Sequence, residues 1–147
     1  MEVFMPIFLM LLLTSLSYAK VAERPLVKTI NDKDIKWGPC PELFPKGCEI
    51  GVLHGDPKKK ETDVYFRVPA NYSIPAHSHT SAEHMTLVSG NLEVKYKGEN
   101  LMHLNEGSYA YGPAELPHQA KCISQEPCVL FISFDEPIDA KAYTGTL

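Results

Sequence analysis

Read as a pattern of apolar and polar positions, the chain breaks into short runs rich in Val, Ile, Leu, Tyr and Phe, with polar residues interleaved. The runs "CEIGVLHG" (48–55), "TDVYFRV" (62–68), "AEHMTLVSG" (82–90), "NLEVKYKG" (91–98), "NLMHLNEG" (100–107), "SYAYGP" (108–113) and "CVLFISF" (128–134) are strand-sized. Gly98-Glu99-Asn100 lies between two of them and predicts a hairpin. Twelve prolines and nine glycines punctuate the chain, and stretches with apolar residues every three or four positions are missing after the first residues. "IKWGPCPELFPKGC" (35–48) reads as an extended or looping arm. Many short strands with Gly/Pro turns predict an all-β sandwich or barrel.

The N-terminus is a different material. "MEVFMPIFLMLLLTSLSYA" is apolar from Val3 to Leu13 apart from Pro6, then small and polar up to Ser17-Tyr18-Ala19. That pattern predicts a signal-peptide helix over 1–19 and one mature domain over 20–147. The apolar part is too short for a bilayer span, which needs about 20 residues, so no membrane association is expected after cleavage. Glu2, with no Lys or Arg beside it, departs from the usual positive start. The expected location is secreted or periplasmic.

Composition adds limits. With 147 residues, 44% apolar and 22% charged, the chain suits one globular domain with a real core. Its net charge of −4 offers no broad basic face, so no nucleic-acid partner is expected. In an oxidising compartment the four cysteines favour two local disulfides, Cys40–Cys48 and Cys122–Cys128, although four cysteines permit three pairings. The C-x2-4-C spacings of a zinc cluster are absent.

The candidate chemistry sits in "PAHSHTSAEHMTLVSG" (75–90), with three of the six histidines. On a strand, His77 and His79 point to one face and can reach one point. Glu83 opens the next run on the face of Met85 and Leu87, while His84 has the opposite parity and points away. His118 in "GPAELPHQAKC" is the candidate fourth ligand, at the start of a further strand. Three imidazoles and a carboxylate suit Mn, Fe or Zn, with Ni or Cu also compatible, better than Mg or Ca. His54 and His103 lack partners at ligand spacing and read as surface or turn residues.

These residues resemble the cupin superfamily. His77 to Gly90 meet its first motif, H-x-H-x3-E-x6-G, at every defined position. Where the family has a glycine six residues before the first histidine, this chain has Asn71, which tolerates the left-handed backbone. The second motif, G-x5-P-x-G-x2-H-x3-N, is met at Gly107, Pro113 and His118 and departed from at Glu115 and Cys122. The resemblance covers about residues 50–135. "WGPCPELFPKGC" with "GVLHGDP" also resembles the opening segment of small exported bacterial cupins.

The resemblance implies a double-stranded β-helix, the cupin jelly-roll barrel. It further implies His77, His79, Glu83 and His118 as ligands of one divalent metal near the barrel's mouth, and a homodimer, since compact cupins often pair. The function it implies is a metalloenzyme of dioxygenase, decarboxylase or isomerase/lyase type. Its substrate would be a small oxygen-rich molecule such as an organic acid, diketone, phenolic or sugar acid, with Glu83 available as a base. The alternative is a non-catalytic extracytoplasmic module that binds or senses a metal or small ligand. Tyr65, Arg67, Tyr111 and Gln119 are the first candidates for substrate contact, and Tyr72, Tyr96 and Tyr109 are further aromatic candidates.

Overall fold

The chain's computed structural model describes Met1 and residues 23–147, so the leader read over 1–19 falls, Met1 aside, outside the described residues. Among the described residues the secondary structure is all strand and turn, with no helix. In chain order the strands are β1 (Trp37–Pro39), β2 (Glu49–His54), β3 (Thr62–Val68), β4 (Ser73–Ser78), β5 (Glu83–Ser89) and β6 (Leu92–Tyr96). There follow β7 (Met102–Leu104), β8 (Tyr109–Gly112), β9 (His118–Cys122), β10 (Cys128–Phe134) and β11 (Lys141–Ala142). Each predicted run contains one of them. The predicted hairpin joins β6 to β7, and the arm contributes the short β1.

Two antiparallel sheets carry these strands. One has the order β1-β2-β3-β10-β5-β8 and the other β11-β4-β9-β6-β7. The pairing runs beyond the 50–135 read as the barrel, since β1 and β11 extend it at both ends. Alternation decides what lies between the sheets. Val64, Phe66 and Val68 of β3, Met85 and Leu87 of β5, and Leu130, Ile132 and Phe134 of β10 face inward against Ile74, Leu92, Val94 and Tyr96. Burying one such aliphatic or aromatic side chain stabilises the fold by about 1.5–3 kcal/mol.

The opposite parity of β3 and β10 is buried too. Tyr65 and Val129 pack with Ile35, and Trp37, Leu53, Val88 and Phe131 surround them. A strand covered on both faces reads as a nearly continuous apolar run, which is why "CVLFISF" shows no alternation. The arm approaches so closely that a Cβ on Gly51 would lie 2.5 Å from Ile35 Cγ2. Disulfides join Cys40 to Cys48 and Cys122 to Cys128. The first closes a loop within the arm, just ahead of β2, and the second closes the β9–β10 turn.

Candidate metal centre

Register brings the candidate residues together. In the five-stranded sheet β4, β9 and β6 are neighbours, and His77 pairs with His118, which in turn pairs with Tyr96. The three side chains therefore stand in one row on the inner face, with ring centroids 4.4 Å (His77–His118) and 5.2 Å (Tyr96–His118) apart. Pro75 sits where the β4–β9 register shifts between Ile74 and His77, a place that tolerates a residue without an N–H. His79 follows immediately after β4, its ring 4.7 Å from that of His77. Across the barrel Glu83 opens β5 opposite Gly112 of β8.

All four groups are buried: His77, His79, Glu83 and His118 are 3–7% exposed. One ligand atom from each of the three histidines lies within 4.8 Å of the others, so this group could hold a metal ion. The Glu83 carboxylate spans two of them, with Oε1 3.3 Å from His79 Nε2 and Oε2 3.4 Å from His118 Nε2. Ligands bonded at about 2.0–2.2 Å lie about 3.0–3.5 Å apart in octahedral or tetrahedral arrangements, and the carboxylate contacts fall in that range.

The tautomers suit the same role. His77 Nδ1–H donates to Pro75 O at 2.7 Å and His118 Nδ1–H to Leu116 O at 3.2 Å, while His79 Nδ1–H donates to Asp139 O. Each donation leaves Nε2 as a lone-pair donor facing inward, the arrangement of metal-binding imidazoles. Burial, with the neighbouring imidazoles His118 and His79, depresses His77 to about 3. His118 is also lowered, chiefly by burial. Both rings are therefore neutral and free to ligate at ordinary pH.

Segments from both ends of the chain close over this centre. Phe44 of the disulfide-closed arm meets the His77 ring edge-on at 5.0 Å. From the other end β11 pairs with Ser78 and His77 of β4. Asp139 accepts from Thr80 N at 2.8 Å and from Thr80 Oγ1 at 2.5 Å. Glu115 stands where the second motif has glycine, and it keeps the left-handed turn at φ 62°, its N–H bonded to His79 O at 2.7 Å. Asn71 does the same at φ 60°.

Beneath the centre lies a cavity of about 60 Å³. Its walls are apolar, including Ile74, Met85, Val94, Leu104 and Leu130. Besides the three histidines and Glu83, its polar side chains are Tyr96 and Asp139. The Tyr96 hydroxyl is buried with no hydrogen-bond partner, and burial followed by the Glu83 charge pushes its pKa up.

Four predicted contact residues are placed elsewhere. Arg67 donates to Glu49 Oε2 at 2.6 and 3.0 Å and lies over the Trp37 ring at 3.9 Å, on the outside of the sheet. Tyr65 belongs to the outer cluster under the arm. Tyr111 is half exposed, and Gln119 faces solvent. Each is one residue from a cavity-lining neighbour (Phe66, Ala110 or His118), and period-2 alternation turns it outward. Tyr72 reaches back to the arm instead, its hydroxyl donating to Pro45 O. Tyr109 bonds His84 Nδ1 at 2.9 Å on the outer surface. Sequence reading missed Phe44 and Asp139 altogether.

The family model of the ChrR cupin-like domain matches residues 27–136. The chain belongs to the ChrR cupin-like family. No curated protein matches this cupin significantly. Among solved structures it is similar to the polyketide cyclase RemF of Streptomyces resistomycificus, with 17% identity and a TM-score of 0.67 over 82% of this chain and 88% of that one. It is also similar to the DMSP lyase DddQ of Ruegeria pomeroyi, with 18% identity and a TM-score of 0.61 over 74% of this chain and 60% of that one. For an oxalate decarboxylase variant of Bacillus subtilis the values are 20% and 0.57, over 71% and 28%. The chain spans about three-fifths of the length of the DMSP lyases it matches. At these identities the likeness is one of fold.

Proposed function

We propose that this cupin holds one divalent transition metal through His77, His79, Glu83 and His118, and uses it on a small oxygen-bearing molecule in the cavity below. The observation that carries the reading is the set of three buried imidazoles whose Nδ1 protons are all directed to main-chain carbonyls, with a carboxylate across two of the free nitrogens. When bound, the metal supplies Lewis acidity toward an oxygen of the ligand. The chain's own residues orient the imidazoles, exclude water with Phe44 and the 134–142 segment, and offer Glu83 as the nearest proton acceptor. Neighbours described as a lyase, a decarboxylase and a cyclase favour an enzyme.

A specific observation keeps binding or sensing as the second reading. Outside the proposed ligands, the cavity's side chains among the described residues supply only Tyr96 and Asp139 as groups that could move a proton. The two disulfides support an oxidising, extracytoplasmic setting. Pairing as a homodimer through the exposed Tyr109 and Tyr111 of the edge strand β8 belongs to the same reading.

Elemental analysis of protein purified without a His-tag tests the centre, comparing wild type with His79→Ala and His84→Ala. Near one metal per chain is expected in wild type and His84→Ala, and little in His79→Ala. Metal-free wild type that also takes none up on addition would refute the proposal.

A further inference from the structure

Every polar side-chain atom that is fully buried among the described residues has a hydrogen-bond partner except one, the hydroxyl of Tyr96. The residue is 3% exposed, lines the cavity and stands beside His118 in the row that holds His77. A Cβ on Gly112 would lie 3.3 Å from this hydroxyl and 3.1 Å from Glu83 Oε2, so the two oxygens flank one point. An unmatched buried hydroxyl is destabilising, and a fold keeps one where something else supplies the acceptor.

We propose that Tyr96 is the second anchor of the cavity's ligand, donating from Oη to an oxygen of a small monocarboxylate. This rests on the metal reading above. A dication held by three imidazoles and one carboxylate carries a single net positive charge, which one anionic group balances, since the Asp139 carboxylate on the wall is already engaged by Thr80 and Lys141. Neither Lys nor Arg lines the cavity, so a second carboxylate would be buried without a partner. The remaining wall is hydrocarbon, suited to a short alkyl tail. A cavity of about 60 Å³ has room on the order of four to six waters, the scale of an acid of about four carbons. The carboxylate would have one oxygen toward the metal centre and one within reach of Tyr96.

The test compares metal-loaded wild type with Tyr96→Phe, using butyrate and malonate as calorimetric probes, with metal content and thermal midpoint measured in parallel. Butyrate is expected to bind wild type and to bind Tyr96→Phe at least tenfold more weakly, the loss of one hydrogen bond to a charged acceptor. Metal content should be equal, and the variant's midpoint equal or higher, because no protein partner is lost. A purely structural tyrosine would instead lower the midpoint and leave butyrate affinity alone. Equal butyrate affinity in the two proteins, no butyrate binding by metal-loaded wild type, or tighter binding of malonate than of butyrate overturns the anchor. A wild type that holds no metal overturns the metal reading, and the anchor with it.

Discussion

Acidifying the metal-free protein should destabilise it through His77. This imidazole is depressed to about 3 in the fold, first by burial and then by His118 and His79. An unfolded histidine takes up its proton near pH 6.5. Between those values the unfolded chain binds a proton that the folded chain refuses, so stability is full above about 6.5 and falls as pH drops toward 3. Well inside that window the slope is about 1.4 kcal/mol per pH unit for one proton. Going from about pH 7.5 to about pH 5 therefore removes about 2 kcal/mol through His77 alone, and His118, also depressed, adds to it. With a urea dependence of about 2 kcal/mol per molar, the unfolding midpoint should fall by about 1 M. Urea titrations at several pH values, on protein stripped with chelator, measure this directly. A midpoint unchanged between the two pH values would refute the reasoning, as would a His77→Ala variant with the same pH slope as wild type.

Three further outcomes are expected. Gly112→Ala should fold yet retain metal at least tenfold less well under chelator competition, because its Cβ would crowd the Glu83 carboxylate from 3.1 Å. Arg67→Met should leave metal content unchanged and cost at most about 1 kcal/mol in denaturation, since it breaks only a half-exposed ion pair and a stack on Trp37. Replacing Cys122 and Cys128 together by Ala should lower stability by about 2 kcal/mol, the chain-entropy value for so short a loop, measurable by the same titration.

Much of the centre was legible because its rule is local. His77 and His79 share a strand face by spacing alone, and the same rule sends His84 outward, where it faces Tyr109. The rule fails where a strand is apolar on both faces. In Val64-Tyr65-Phe66-Arg67 nothing in the residue types says which parity looks into the barrel, because the arm covers the other side. Tyr96 could be named as a candidate, but its place beside His118 depends on the β6–β9 register. Asp139 was invisible for a different reason. It meets His79 through its carbonyl, a group every residue carries, across 60 positions of sequence. Phe44 arrives on an arm whose path follows from the Cys40–Cys48 link rather than from periodicity.

The acceptors that orient the three imidazoles are the carbonyls of Pro75, Asp139 and Leu116. Centres that aim their histidines with carboxylate side chains can be disarmed by changing one codon. Here no single codon change can delete an acceptor, because every amino acid brings the same oxygen. The aim of the centre is thus inherited with the path of the backbone, and the residues supplying those carbonyls are free to drift as long as that path survives.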